Sequence, residues 1–195
     1  MLGATAAVLT LLGGPSWAGN IMVTNAHNTG PGSLRQAIKD ANLHSGPDWI
    51  IFHAGMADKS IAPTSPLPEI VDDQTTIKGD IDNDGKPDVV LDGMHLSTGA
   101  GLVIKRATHC QVIGLAIVTC PETGLRLQSA HQAEVRSCYL GVLLNGWESW
   151  GNGGLGGEQV ELVTTDNARA PSRTANTSTS PSPAPPSPPG TMPME

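Results

Sequence analysis

Aromatic side chains are scarce in this chain of 195 residues: they make up 3%, with one Phe, one Tyr and four Trp. A core built around large rings is therefore excluded, and its bulk must come from Val, Ile, Leu and Ala. Basic residues are also few. Eleven Lys and Arg face eighteen Asp and Glu, a formal charge of −7, which argues against a nucleic-acid partner, since phosphate neutralisation needs clustered cations. Three cysteines at scattered spacing give neither a disulfide framework nor a CxxC metal knuckle. One bridge is open to them, but the apolar neighbours of Cys110, Cys120 and Cys138 favour buried thiols.

Long apolar runs are missing too. The run at residues 2–12 is too short to span a bilayer, so no transmembrane segment is expected. Followed by Pro15, Ser16, Trp17 and Ala18, it reads as a signal peptide over residues 1–18, cut after Ala18. No Lys or Arg precedes it, and a buried N-terminal segment is the alternative. No cysteine follows it, so no lipid anchor is expected. A leader of this kind places the protein outside the cell, secreted or at the surface.

What is abundant is glycine, at 23, and proline, at 16. Many turns between short aliphatic runs fit stacked short strands better than a helical bundle. One helix stands out. Ser33-Leu34-Arg35-Gln36 has the form of a capping box, in which the Ser hydroxyl accepts from the Gln36 N–H and the Gln side chain reaches back. Leu34, Ala37, Ile38 and Ala41 then recur at helical spacing, and Ser45-Gly46-Pro47 closes the segment. Short β-prone runs occupy residues 20–25, 49–52, 75–78, 89–91, 102–105, 112–118, 125–127 and 135–140, with a Pro-rich loop at Pro63, Pro66 and Pro68.

These runs repeat. Gly101, Leu102 and Ile104 match Gly124, Leu125 and Leu127 at an offset of 23, and Val112, Leu115 and Ile117 match Val135, Cys138 and Leu140 at the same offset. Val89 to Val112 is the same distance. A period in this range means stacked supersecondary units. Alternating apolar residues then specify an all-β fold, a parallel β-helix of about five coils, each burying its inward residues only by stacking on its neighbours.

Residues 29–42, Thr-Gly-Pro-Gly-Ser-Leu-Arg-Gln-Ala-Ile-Lys-Asp-Ala-Asn, and Asp48-Trp-Ile-Ile-Phe52 resemble the N-terminal region of secreted bacterial right-handed parallel β-helix repeat proteins. Thr76-Ile-Lys-Gly79, Leu91-Asp-Gly93, Gly114-Leu115 and Gly124-Leu125 are similar to their coils, and the resemblance covers residues 20–145. It implies a right-handed solenoid whose helix at Ser33 caps the hydrophobic N-terminal end. The repeated Gly-Gly-Ala-Ile and Phe-x-x-Asn motifs of polymorphic outer-membrane adhesins are not present. The domain division follows: signal peptide 1–18, capped β-helix 19–146, a Gly-rich irregular segment 147–168, and a disordered Pro/Ser/Thr-rich tail 169–195. An open far end of the stack would favour self-association.

The sharpest chemical motif is Asp80-Ile-Asp82-Asn-Asp84-Gly85-Lys86-Pro-Asp88. Carboxylates at positions one, three and five followed by Gly at six suit a calcium loop, with the Lys86 carbonyl at seven and Asp88 at nine. Position twelve is Leu91 rather than Glu, so the loop is EF-like and not an EF-hand. The expected metal ligands are Asp80, Asp82, Asp84, Lys86 and Asp88, and the expected role of calcium is structural; a solvated acidic turn is the alternative.

Other groupings carry less. Asp72-Asp73 invites comparison with the paired acids of glycoside hydrolases, but adjacent strand residues point to opposite faces and a turn role fits better. His109 and His131 precede equivalent strands and read as corner residues or a metal pair. Lys105, Arg106, Arg126 and Arg136 either line a face for an anionic sugar or are ordinary solvated charges. No Ser-His-Asp spacing stands out, and no catalytic residue is assigned. The functional expectation is an exported, calcium-stabilised module for adhesion or contact with a polysaccharide or cell-surface glycan. The alternatives are a β-helix polysaccharide lyase or hydrolase and a remnant of a longer protein.

Overall fold

The computed structural model describes residues 19–153 and 159–163. The expected signal peptide, residues 1–18, and the expected Pro/Ser/Thr-rich tail, residues 169–195, lie outside the described residues. Strands β1 (Gly19–Val23), β2 (Asp48–Phe52), β4 (Thr76–Lys78), β7 (Gln111–Ile113) and β10 (Glu134–Arg136) stack in that order as one parallel sheet. A second sheet runs β11 (Tyr139–Leu140), β8 (Leu115–Val118), β5 (Val89–Asp92), β3 (Lys59–Ile61), and a third runs β12 (Val160–Val163), β9 (Leu125–Gln128), β6 (Leu102–Lys105). Every strand pair is parallel. From β4 on the chain visits the three sheets in rotation, so the architecture is a β-solenoid of about five turns, as expected.

The register explains why aliphatic residues suffice for the core. Ile21, Ile50, Ile77, Val112 and Val135 lie directly above one another through the first sheet. Ile61, Leu91, Ile117 and Leu140 form a second ladder, and Ile70, Ile104 and Leu127 a third. All but Ile21 are buried, and the three ladders meet in one continuous core. Each buried Val, Leu or Ile contributes about 1.5–3 kcal/mol relative to exposure. Branched side chains stack well on identical neighbours, which is why the repeat can do without rings.

The offset of 23 holds for the later turns, where Leu102 pairs with Leu125 and Val112 with Val135. It does not extend to Val89. That residue pairs with Leu115, and Val112 lies on Ile77 instead. The earlier turns are lengthened by the acidic loop and the loop after β5, so the apparent match of Val89 with Val112 joined two different sheets.

The runs at 112–118 and 135–140 are each broken by a corner. Gly114 (φ +60°) separates β7 from β8, and Ser137 (φ +53°) separates β10 from β11. Arg106 and Ser129, and His109 and Gln132, take the left-handed conformation at matching corners of successive turns. Such backbone is unfavourable for side-chain-bearing residues, and it is retained because stacking fixes each bend on the one beneath.

The α-helix, α1 (Leu34–Ala41), buries Leu34, Ala37, Ile38 and Ala41 in the same core as Val23 and Ile50. Ser33 Oγ accepts from the Gln36 N–H at 3.2 Å as expected. The reciprocal half of the capping box is not made. The Ser33 N–H donates to the Gly30 carbonyl at 3.2 Å, and Gln36 Nε2 donates to Asp40 Oδ1 at 2.7 Å. The preceding turn had already satisfied the amide that Gln36 would have reached. The helix ends at Ala41, before the Ser-Gly-Pro signal; Asn42 caps it, its N–H still donating to the Ile38 carbonyl at 3.0 Å while its side chain bonds the Glu69 carbonyl (2.7 Å) and the Val71 N–H (3.0 Å).

Two further features follow the regular turns. β12 adds to β9 within that segment, its Val160 paired with Leu125. A small antiparallel turn, closed between Val142 and Ser149, lies before it. Leu143, Leu144 and Tyr139 pack over Val90, Ala116 and Val118 on the outside of the second sheet.

Candidate functional site

The acidic loop leaves the solenoid at the corner between β4 and β5. Gly79 fixes its start: the Gly79 N–H donates to the Ile113 carbonyl at 2.8 Å, and the Gly79 carbonyl accepts from the Asp88 N–H at 3.1 Å. A Cβ at Gly79 would strike the Gly114 carbonyl, and one at Gly114 would strike Asp80. Two glycines on adjacent turns thus let the backbones close up and set Asp80 into the wall.

The carboxylate oxygens of Asp80, Asp82 and Asp88 lie within 4.8 Å of one another. Asp80 is buried; its Oδ2 accepts from the Gly85 N–H at 3.3 Å, whereas its Oδ1 is buried with no hydrogen-bond partner. Asp88 Oδ2 accepts from the N–H groups of Ile81 (2.6 Å) and Asp82 (3.3 Å). Asp82 Oδ1 accepts from the Asp84 N–H at 3.0 Å. Asn83 and Gly85 take positive φ, turning the chain back. Three convergent carboxylates, one with an unanswered buried oxygen, are hard anionic donors suited to a hard cation.

One of the expected acidic ligands lies outside this trio. Asp84 turns outward to Lys86: its Oδ1 accepts from the Lys86 N–H at 2.8 Å and its Oδ2 from Nζ at 3.1 Å. These bonds hold the Asp84 carboxyl below its usual range and raise the Lys86 ammonium. The sequence spacing sees positions one, three, five, seven and nine alike. The local ion pair separates position five from the rest.

Asp73 Oδ1 accepts from the Thr108 N–H at 2.7 Å, and the Asp72 carbonyl accepts from Thr75 Oγ1 at 3.2 Å. Both are turn residues before β4. His109 and His131 occupy successive corners, where the His109 N–H donates to the His131 carbonyl at 2.9 Å and Thr108, not His109, is the register partner of His131. Lys105 pairs with Glu69 (2.8 Å), Arg126 with Glu122 (2.8 Å) and Glu161 (2.5 Å), and Arg136 with Glu134 (3.6 Å). The basic row is thereby largely neutralised.

Sequence reasoning missed two features. Trp147 is 82% exposed at the tip of the turn over the second sheet, with Trp150, also exposed, nearby. Asp48, at the start of β2, is wholly buried, and its Oδ2 has no hydrogen-bond partner. Nothing in the local sequence distinguishes Asp48 from an ordinary strand-start acid. No known family model matches the chain, and no curated protein sequence matches it.

Proposed function

We propose that the protein is an exported, right-handed parallel β-helix module, capped at its N-terminal end by α1 and stabilised by calcium, that serves adhesion or glycan contact. The observation that carries the calcium reading is the convergence of Asp80, Asp82 and Asp88 around an unpartnered, buried Asp80 Oδ1. In this reading those three carboxylates and the Lys86 carbonyl hold the ion, and Asp84 joins them only by leaving Lys86. Calcium offsets the mutual repulsion of the carboxylates and pins the loop to the corner at Gly114. The exposed indoles of Trp147 and Trp150 support the contact role, since apolar ring faces left in water are characteristic of recognition surfaces.

The test is thermal unfolding in EDTA and in millimolar calcium. Calcium should raise the midpoint of the wild-type protein by several degrees, because a ligand at about 100 times its Kd adds about 2.7 kcal/mol. Asp82→Asn, at an exposed position, should remove most of that rise and Asp84→Asn little of it. A midpoint indifferent to calcium sinks the metal reading. Glycan-array binding that survives Trp147→Ala with Trp150→Ala would remove the indoles from the contact surface.

A further inference from the structure

Asp48 poses a problem that the solenoid does not solve. Its side chain is 0% exposed. Its Oδ1 accepts from the Gly19 N–H at 3.2 Å, and that same N–H is shared with the Pro47 carbonyl at 3.3 Å. Its Oδ2 is unpartnered, and so is the buried Oδ2 of Asp72, whose carboxyl feels the Asp48 charge. Among the described residues no Lys or Arg pairs with either carboxylate; the exposed His44 imidazole stands beside Asp48, its Nδ1 4.0 Å from Oδ2. A buried carboxylate with half its acceptors empty is costly unless a cation is supplied.

We infer that Asp48 is the buried counter-ion of the amine released when a leader peptidase cuts the chain between Ala18 and Gly19. Hydrolysis splits the Ala18–Gly19 bond. The water oxygen completes the Ala18 carboxylate, which departs with the leader, and the nitrogen of Gly19 gains two protons, one from water and the other from the new acid group, to become an ammonium. One shared N–H then becomes three N–H donors and a positive charge. The Pro47 carbonyl and the Asp48 carboxylate already face that nitrogen, and the charge of Asp72 acts on the same carboxylate. The donor is located where the cation is needed.

The identity of residue 19 supports this assignment independently. A Cβ on Gly19 would come within 2.5 Å of Asp48 Oδ1. A side chain there would push the carboxylate away from the nitrogen, so only glycine brings the amine onto Asp48. The small residues at Ser16 and Ala18 give the cleavage pattern on one side of the bond, and the Asp48 cradle receives the product on the other. Processing would then tighten the first turn of the solenoid, because Gly19 opens β1 and Asp48 opens β2, and the two are register partners.

The inference rests on the exported reading above, and the experiment separates the two. Residues 19–195 are released from a fusion by a protease that leaves Gly19 first, and half the sample is acetylated selectively at that amine. The free-amine chain should melt higher by about 4 °C or more, and Asp48→Asn should abolish the difference. In an NMR titration the Gly19 amine should ionise above its ordinary range of about 7.7–8.0. Equal melting of the free and acetylated chains, or an ordinary amine titration, overturns the ion pair even if Asp48→Asn does not fold. N-terminal sequencing of the exported full chain should read Gly-Asn-Ile-Met, and any other start overturns the processing site. A missing calcium response would leave both results untouched.

Discussion

Arg35 Nη1 donates to the Pro66 carbonyl at 2.6 Å, joining the first turn of α1 to the Pro-rich loop. The same guanidinium donates to the Ser65 carbonyl (2.7 Å), the Asn28 carbonyl (2.9 Å) and Asn28 Oδ1 (3.1 Å). One buried side chain therefore fastens three segments, two before and within the helix and one beyond it. The planar fork of Arg suits several acceptors at once.

Arg35→Ala should cost about 1.5–3 kcal/mol, the scale of hydrogen bonds made by a charged donor. Arg35→Lys should recover only a minority of that loss, since an ammonium cannot reach four acceptors spread around a plane. Urea midpoints of the three proteins check this. Equal stability of the Lys variant and wild type would remove the clamp.

Asn152 supplies a comparable fastening at the other end. Its Oδ1 accepts from the Cys120 N–H at 2.9 Å, and its Nδ2 donates to the Ile117 carbonyl at 3.0 Å and to Gln159 Oε1 at 2.8 Å. Asn152→Ala leaves the Cys120 amide unanswered and removes one of the two donors to the Ile117 carbonyl, which keeps the Gly141 N–H at 2.8 Å, and should cost about 1–3 kcal/mol. Hydrogen exchange should quicken at Cys120 before it quickens at Ile77 in the centre of the first sheet. Uniform acceleration across both amides would argue against a local role.

Gly114 and Ser137 occupy the same corner of successive turns and should respond oppositely. Gly114→Ala puts a methyl group against Asp80 at φ +60°. It should destabilise the protein and weaken the proposed calcium-dependent rise in melting temperature. Ser137→Gly relieves left-handed strain of about 1 kcal/mol or more, partly offset by the added freedom of the unfolded chain, and should be neutral or mildly stabilising. Thermal midpoints with and without calcium distinguish the two.

Asp48 and Asp72 give the chain a particular pH dependence. Both carboxyls are raised, foremost by loss of hydration; the Gly19 N–H and then His44 oppose this at Asp48, and at Asp72 the charges of Asp48 and Asp73 add to it. Between their ordinary value and the raised one, the folded state binds more protons than the unfolded chain. Stability from these groups is thus highest below the ordinary carboxylate pKa and falls as pH rises through the raised values. Asp72→Asn should flatten that slope in a series of urea midpoints. An unchanged slope would show that Asp72 carries none of it.

The thiols should be inert in the folded protein. Burial foremost pushes Cys110 up to about 11, Cys120 to about 12 and Cys138 to about 11, so almost no thiolate exists at pH 8. Iodoacetamide should label none of the three until denaturant is added, as read by intact mass. Rapid labelling of any one in native buffer would place that thiol at the surface.

The sequence by itself determined the stacked parallel strands, the later register and the helix start, because each rests on short-range pattern: alternation, an offset of 23, a Ser at the N-cap. It also marked Asp80, Asp82 and Asp88 by spacing. The tertiary structure alone decided what spacing cannot express. Val89 pairs with Leu115 because loop lengths vary between turns. Asp84 leaves the cluster because Lys86 holds it. Arg35, Asp48 and Asn152 matter because of partners about thirty positions away, and burial and hydrogen-bond satisfaction are properties of neighbours in space, which a one-dimensional pattern does not contain.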